Sequence, residues 1–388
     1  MHLASWLIFL HTSPMNLGLI GLPKAGKTTI FNALTGQSAE TAPYDTGKVE
    51  PNVGVVPVSD ERVDKLSALY NPKKTVYATV EFIDFVGAHQ GTAKGGLFSG
   101  EGMSLIKTAD ALVLVLRNFS DPTIEGLYGP PDPKKDLDTL LSELILTDQV
   151  VAERRLEKLQ QDHKKGKKTP QSQTEEKVME RILDVLNDGI AIYSLSLTPE
   201  EAKLISGYKF LTAKTLLGLV NSDEGSYGKS PQLLNSLEQV IQKFAGERAE
   251  NRKDTLGVIE FAGKFEMELS QLDPAERELF MTDMGIRESA RARLTHAAYT
   301  ALGYISFFTV GEDEVRAWTL RKGETALEAA GTIHSDLARG FIRAECFTVK
   351  DLLELGSEKA VKDKGLFRLE GKDYLVQDGD ILHIRFSV

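Results

Sequence analysis

The chain has 388 residues, of which 41% are hydrophobic and 26% are charged, and this composition indicates a globular protein of two or three domains rather than a disordered or fibrous chain. Its 56 acidic residues outnumber 46 basic ones, and the net charge of −10 argues against a protein that coats nucleic acid by overall charge. A single cysteine, Cys346, excludes an internal disulfide framework and a cysteine-rich metal site, and it fits a reducing, cytoplasmic setting.

The N-terminal residues predict neither a membrane helix nor a signal peptide. No apolar run approaches the roughly 18 residues that a membrane-spanning helix needs, so we expect no membrane association. Residues 1–10 are apolar but lack a basic segment and a small-residue cleavage site. Because Met15 opens a strand-like run, we interpret residues 1–14 as an N-terminal extension.

Short apolar strands alternate with helices from residue 15 to residue 135, which is typical of an α/β domain. The predicted elements are a strand at 16–20, a helix at 28–35, a second strand at 76–84 and a buried strand of a parallel sheet at 111–116. Six glycines between residues 87 and 102 predict an irregular loop. The sheet pattern returns at residues 215–220, so this domain continues over residues 205–304.

Residues 136–204 carry leucines and valines at helical spacing, with charged residues between them. A polar, basic stretch over residues 163–173 interrupts this pattern, which then resumes. We therefore predict a helical hairpin inserted into the α/β domain, with a loose basic tip. The tip carries four lysines, Lys164, Lys165, Lys167 and Lys168. They either contact RNA phosphates or belong to a solvated loop without a partner.

The last residues of the chain, 305–388, predict a small mixed sheet wrapped on a helix. The predicted elements are strands at 307–310 and 315–320, a helix from near Glu324, a strand at 340–345, a helix at 350–355, and closing strands at 374–376 and 381–386. Residues 377–380 (QDGD) supply the turn between the closing strands.

Residues 21–28 (GLPKAGKT) match the pattern G-x-x-x-x-G-K-[ST] of a phosphate-binding P-loop, and they lie between a predicted strand and a predicted helix. The backbone amides of such a loop and the helix N-terminus face the negative charge of the phosphates. We expect Lys27 to reach the β- and γ-phosphates and Thr28 to hold Mg²⁺. The remaining predicted nucleotide contacts are Gly21, Pro23, Lys24, Ala25, Gly26 and Thr29.

Two further motifs lie where strands end. Asp84 and Gly87 form the D-x-x-G pattern of nucleotide-hydrolysing switches, in which the aspartate joins the magnesium shell and the glycine amide contacts the γ-phosphate. Asn221 and Glu224 stand where switch GTPases carry N-K-x-D, whose aspartate accepts hydrogen bonds from guanine. Adenine offers a ring acceptor at that place. Because the lysine is absent and the last residue is glutamate, we expect weak guanine selectivity and a shift towards adenine.

Together these motifs resemble the Obg-like ATPase (YchF) family over residues 15–388, and the C-terminal runs are the most specific. The runs that carry the resemblance are residues 50–57 (EPNVGVVP), 314–318 (EVRAW), 329–334 (AAGTIH), 340–345 (GFIRAE) and 369–374 (LEGKDY). The resemblance implies a TRAFAC-class P-loop NTPase domain, a coiled-coil hairpin and a C-terminal TGS domain of ubiquitin-like β-grasp fold. It also implies ATP hydrolysis with some GTP hydrolysis, ribosome or ribosomal RNA association, and a role in translation or stress response. Ala262 falls at the family's last base-contacting loop.

The chain departs from the family's usual residues at sensitive places. Lys24 replaces an asparagine, and Lys48 replaces the threonine that completes the magnesium shell, for which Thr46 is the nearby substitute. Ala88 stands where Ras-like enzymes have a catalytic glutamine, which implies slow intrinsic turnover or activation from elsewhere. We hypothesise that the Lys24 ammonium supplies the positive charge that a monovalent cation brings to some P-loop enzymes.

The sequence leaves three functions open. The first is an ATP- or GTP-hydrolysing switch whose catalytic residues are Lys27, Gly87 and Lys24. The second is a nucleotide-binding scaffold with negligible hydrolysis, and the third is a guanine-specific GTPase. No RNP motif, zinc finger or aromatic stacking platform is visible, so we expect no readout of DNA sequence.

Overall fold

The structure is a computed structural model that describes residues 15–37, 39, 51–85, 101–246, 257–283 and 288–387. Four residues discussed above, Thr46, Lys48, Gly87 and Ala88, lie outside this part of the chain. The chain divides into two compact units. The first contains Met15–Val56 and Glu81–Ala298, and the second contains Pro57–Val80 and Tyr299–Val388.

Strands and helices alternate along the described residues. The strands are β1 (Met15–Gly21), β2 (Asn52–Pro57), β3 (Lys74–Val76), β4 (Thr79–Asp84), β5 (Ala111–Asn118), β6 (Thr215–Ser222), β7 (Val258–Phe261), β8 (Tyr304–Thr309), β9 (Glu314–Arg321), β10 (Phe341–Thr348), β11 (Arg368–Glu370) and β12 (Asp380–Phe386). The α-helices are α1 (Lys27–Thr35), α2 (Glu61–Tyr70), α3 (Glu101–Ile106), α4 (Pro122–Tyr128), α5 (Pro133–Lys164), α6 (Pro170–Asn187), α7 (Pro199–Ile205), α8 (Pro231–Ala245), α9 (Gly263–Gln271), α10 (Pro274–Asp283), α11 (Ala290–Ala301), α12 (Ala326–Ile333), α13 (Ser335–Arg339), α14 (Val349–Leu355) and α15 (Glu358–Asp363).

The first unit is built on a sheet with the strand order β2-β4-β1-β5-β6-β7. Its central strands are parallel, since β5 pairs with β1 and β6, and β6 pairs with β7. On β5, Leu112 and Leu114 join a core with α5 and α8, while Val113 and Val115 are buried on the opposite face. This confirms the predicted α/β domain and its doubly buried strand.

The inserted helices α5 and α6 form the predicted hairpin, packed through a buried apolar cluster that includes Ala152, Val178 and Ile182. The tip is shorter than the predicted loose stretch. The α6 helix already begins at Pro170, because Thr169 and Ser172 form a reciprocal capping box. The prediction of an irregular segment through residue 173 was therefore wrong, and the connecting loop spans residues 165–169.

The second unit contains a sheet with the strand order β11-β10-β12-β8-β9-β3. β8 and β9 are antiparallel, β12 runs parallel to β8, and β10 runs antiparallel to both β12 and β11. Helix α12 packs on one face through Ala326 and Ala329, in a cluster that includes the buried Cys346. This mixed sheet with a helix on it confirms the predicted β-grasp domain.

Burial raises the pKa of the Cys346 thiol to about 12, as expected of a small hydrophobic core residue.

Two predicted strands differ from the structure. Residues 374–376 form only one isolated bridge, between Leu375 and Thr325, because their main-chain bonds go to the short segment at the start of α12, where the Val376 amide donates to the Glu324 carbonyl and the Ala326 amide donates to the Tyr374 carbonyl. The strand before the turn is instead β11. The predicted strand at 76–84 is divided into β3 and β4, which belong to different sheets.

No helix in the described ranges is long and apolar enough to cross a membrane.

Candidate functional site

The predicted site residues of the first unit lie at the edge of the sheet where its parallel strands end. The P-loop follows β1, Asp84 is the last residue of β4, Asn221 lies near the end of β6, and Ala262 follows β7. The carboxyl ends of parallel strands are the usual ligand-binding edge of an α/β sheet. The order of the strands thus brings together residues that are distant in sequence.

The P-loop backbone adopts left-handed conformations at two residues, Lys24 with φ 61° and Gly26 with φ 91°. A Cβ atom on Gly26 would lie 2.2 Å from Asn221 Nδ2, so both conformation and space require glycine there. Lys24 is exposed and occupies a conformation that favours asparagine among the non-glycine residues. Of the other predicted contacts, Gly21 and Ala25 are buried, whereas Pro23 and Thr29 are partly exposed.

The Lys27 ammonium donates hydrogen bonds to the carbonyl oxygens of Gly21 and Leu22, at 3.0 and 3.1 Å. The pKa of Lys27 is lowered to about 8, chiefly by burial, with Asp84 opposing the shift and the nearby Lys24 adding to it. Within the described residues, the hydrogen-bond partners of this half-buried cation are therefore carbonyl oxygens rather than a carboxylate. An anion bound in the loop would stabilise its charged form.

Asp84 is a fully buried carboxylate whose two oxygens differ in their contacts. Oδ2 accepts hydrogen bonds from Thr28 Oγ1 at 2.8 Å and from Asn52 Nδ2 at 3.4 Å. Oδ1 has no hydrogen-bond partner among the described residues. Burial raises the pKa of Asp84, against the opposing effects of Thr28, Lys27 and Asn52.

The donor set around Asp84 fits a hard divalent cation. An unpartnered carboxylate oxygen and the Thr28 hydroxyl are the oxygen ligands that Mg²⁺ takes, usually together with water and phosphate oxygens. Asn52 is an additional site residue whose role the sequence did not reveal. It lies in the run EPNVGVVP, but only the fold brings it to Asp84.

Asn221 joins two loops of the site. Its Nδ2 donates to the Ala25 carbonyl at 3.0 Å, and its Oδ1 accepts from the Gly263 amide at 3.1 Å. The side chain is 4% exposed, and its two hydrogen bonds hold the P-loop against the turn that contains Ala262.

Phe119 flanks this clamp, because its ring lies 3.6 Å from the position of a Cβ on Gly26. No sequence signal marked Phe119, since its place beside the P-loop is purely tertiary.

The loop after β6 is held by its own hydrogen bonds. Ser222, at the position of the missing lysine, donates to Glu260 Oε1 at 2.7 Å, and Gly228 donates to Glu260 Oε2 at 2.8 Å. Asp223 accepts from the Ser226 hydroxyl and amide, and these bonds hold the pKa of Asp223 below its usual range. Glu224 is exposed at the tip of this loop. Its role in reading a base stays a prediction.

Comparison with known proteins gives matches along nearly the whole chain. A family model described as 50S ribosome-binding GTPase matches residues 16–154, and the YchF-GTPase C-terminal model, described as a protein of unknown function (DUF933), matches residues 304–387. The ribosome-binding ATPase YchF of Bacillus subtilis is 39% identical over 374 residues, which cover 96% of this chain and 100% of that protein. The protein of the same name from Haemophilus influenzae is 39% identical over 371 residues, covering 96% and 99%. The solved structure of the Schizosaccharomyces pombe YchF GTPase superimposes with a TM-score of 0.81 at 29% identity, covering 96% of this chain and 97% of that one.

Replacing Asp84 by asparagine should stabilise the protein without ligands and remove its response to Mg²⁺. The raised pKa means that the folded state binds the Asp84 proton more tightly than the unfolded state, so this group lowers stability as pH rises above the ordinary aspartate range. Asparagine can still accept from Thr28 and carries no charge to bury. We expect a gain of about 1 kcal/mol in unfolding free energy near pH 7, within the range for buried charges. Thermal unfolding with and without Mg²⁺ measures both effects, and an unchanged Mg²⁺ response would contradict the assignment.

Proposed function

The chain belongs to the YchF family, and from this premise we propose that it is a ribosome-associated switch of the cytoplasm that binds and slowly hydrolyses ATP. The observation that carries the proposal is a half-buried ammonium, Lys27, held by carbonyl oxygens, close to a buried carboxylate, Asp84, that has an unpartnered oxygen within the described residues and accepts from Thr28. This arrangement suits a nucleotide triphosphate with Mg²⁺. We infer the ribosome as the partner from the relatives named ribosome-binding ATPase. Membership of the same family supports a role in translation or stress response.

In the proposed mechanism the P-loop amides and Lys27 bind the phosphates. The Lys27 ammonium leaves the carbonyl oxygens of Gly21 and Leu22 for β- and γ-phosphate oxygens, which are stronger partners. Thr28 Oγ1 and Asp84 would hold Mg²⁺, with Thr46 as a candidate further ligand. When bound, that ion neutralises charge on the phosphates during transfer. Gly87 is proposed to contact the γ-phosphate through its amide.

We propose that the base is read at the Asn221 side of the site. Both polar groups of Asn221 are used to hold Ala25 and Gly263, so the side chain chiefly fixes the geometry of the base-side loops. Ser222 is bound to Glu260 and is too short to cover a base as a lysine does. Glu224 occupies the position of the guanine-reading aspartate, but its side chain is one methylene longer and is exposed at the tip of the loop. Adenine is therefore the proposed base.

Hydrolysis and base preference are tested together. We expect multiple-turnover phosphate release from ATP that falls at least 100-fold in Lys27→Ala, because the P-loop lysine stabilises the transferring phosphate.

A non-hydrolysable ATP analogue should bind at least ten times more tightly than the GTP analogue, a difference of about 1.4 kcal/mol in binding free energy. Lys134→Ala, an exposed lysine of α5, is the control. Binding without turnover would favour the scaffold alternative, and tighter binding of the GTP analogue would favour the guanine-specific one.

Lys24 is proposed to replace a monovalent cation near the phosphates. Its charge is close enough to Lys27 to lower the pKa of that group. We expect turnover that needs no added K⁺ and that falls about tenfold in Lys24→Ala, in line with the removal of one electrostatic interaction with the transition state. The variant Lys24→Asn should regain activity only when K⁺ is present. Phosphate release measured in Na⁺ and K⁺ buffers decides this, and equal rates for wild type and Lys24→Ala would refute it.

The hairpin tip is proposed to contact ribosomal RNA phosphates. All four tip lysines are exposed, and the tip is held by His163, which contacts Glu176 at 3.0 Å and Ser172 at 2.7 Å. In Lys167→Gln/Lys168→Gln we expect weaker ribosome binding. The plot of log affinity against log salt concentration should become less steep by about one for each phosphate that the tip no longer neutralises.

The matched control for the tip is Lys134→Gln/Lys135→Gln, an adjacent exposed pair at the base of α5. It removes the same amount of charge from the same hairpin, so the two variants differ only in where the charge is removed. Equal ribosome binding by both variants in sedimentation assays would exclude the tip.

A further inference from the structure

A segment of the first half of the chain belongs structurally to the C-terminal unit. Residues 57–80, which we call the arm, connect β2 to β4, two neighbouring strands of the first sheet. β2 begins at Asn52 and β4 ends at Asp84, and Asn52 Nδ2 lies 3.4 Å from Asp84 Oδ2 at the proposed metal site. Both ends of the arm are therefore covalently continuous with strands that carry site residues, although the arm itself is part of the second unit.

Strand β3 fixes the arm to the C-terminal sheet. It pairs in parallel with β9 and forms the sixth strand, at the edge of that sheet. The amides of Lys73 and Lys74 donate to the carbonyls of Glu312 and Asp313 at 3.0 and 3.1 Å, and these bonds bind the arm to the turn before β9. This main-chain pairing sets the register of the arm, with Lys74, Thr75 and Val76 opposite Glu314, Val315 and Arg316.

Helix α2 adds a side-chain anchor. The Arg62 guanidinium donates to Asp378 at 2.7 Å and lies 5.0 Å from the ring centroid of Phe308. Asp378 in turn accepts from the Ser306 amide of β8 at 2.9 Å. Val63 and Leu66 of the same helix are fully buried, so α2 contributes to the core of the unit. Because Arg62 and Asp378 are 32% and 51% exposed, their ion pair alone is weak, and the anchor also depends on the Phe308 ring and on the buried side chains of α2.

The two ends of the arm are held together. The Val58 amide donates to the Ala78 carbonyl at 2.8 Å, at the points where the chain leaves β2 and approaches β4. In the first unit, β2 lies close to the end of α1, since a Cβ on Gly54 would be 2.3 Å from Thr35 Cγ2. The hydrogen bond from Asn52 to Asp84 is long and hence weak. It is the contact that a ligand drawing on the Asp84 carboxylate would replace most readily.

We propose that the arm couples the nucleotide site to the C-terminal unit. Binding at Asp84 changes the Asn52 contact and the position of β2, and the arm carries this change to β9 because Arg62 and β3 fix it there. By thermodynamic linkage, if nucleotide binding changes the free energy of the Arg62 anchor, weakening that anchor must in turn change nucleotide affinity. The inference rests on the proposed function, since it requires that the chain binds a nucleotide.

The test uses the full chain and a non-hydrolysable ATP analogue with Mg²⁺. Hydrogen exchange of the wild type should show altered protection of the amides of α2 and β9 when the analogue is added, and Asn52→Ala should reduce that response at least threefold. Calorimetry should show at least a fivefold change in analogue affinity for Arg62→Ala, and none for Lys65→Ala, an exposed residue of the same helix that pairs with Glu61. Asp378→Asn provides a second, milder disruption of the anchor should Arg62→Ala fold poorly.

The outcomes separate this inference from the proposed function. If the wild type binds the analogue while exchange in α2 and β9 is unchanged, the coupling is refuted and nucleotide binding stands. If neither Arg62→Ala nor Asp378→Asn changes the affinity of a folded protein, the anchor has no part in coupling and the inference is likewise refuted. If the wild type binds neither the ATP nor the GTP analogue, the proposed function fails and the coupling fails with it.

Discussion

The architecture of the site depends on one unfavourable feature, the buried carboxylate of Asp84 with an oxygen that has no partner within the described residues. Removing a carboxylate from water costs several kcal/mol unless its oxygens are fully paired. Here Thr28 and Asn52 donate hydrogen bonds to Oδ2 of Asp84 only, while the nearby Lys27 ammonium donates to carbonyl oxygens. Opposite charges that remain apart in a buried site are complementary to a ligand that carries both a cation and phosphates. The buried core of the sheet stabilises the fold enough to offset this local cost.

The clamp at Asn221 shows how the same edge of the sheet is made rigid on its other side. One buried amide satisfies the Ala25 carbonyl and the Gly263 amide at once, so the P-loop and the turn after β7 keep a fixed spacing. Gly26 must be glycine for that clamp to fit. The network of Ser222, Glu260 and Gly228 fixes the following loop and leaves Glu224 exposed. This side of the site is thus a frame fixed by buried hydrogen bonds, with the Glu224 side chain exposed beside it.

The division of the chain into units does not follow its order. A C-terminal domain defined by sequence begins near residue 304, whereas the compact unit also contains residues 57–80. The added helix and strand bury Val63 and Leu66 and extend the β-grasp sheet by one strand. The segment leaves the first sheet at Pro57 and returns to it at Thr79, at the ends of β2 and β4 that lie opposite to Asn52 and Asp84.

The sequence by itself determined the parts of this protein that are local. The P-loop is contiguous over residues 21–28, the apolar run 111–116 is typical of a doubly buried strand, and the leucine spacing of the hairpin indicates its helices, because each pattern reflects the geometry of neighbouring residues. Only the tertiary structure decided the contacts of Asn52, Phe119 and Asn221, whose partners are remote along the chain. It also decided that the three residues of β3 join the second sheet and that residues 374–376 do not, because short segments lack a pattern of their own and pair where the surrounding fold offers unpaired backbone groups.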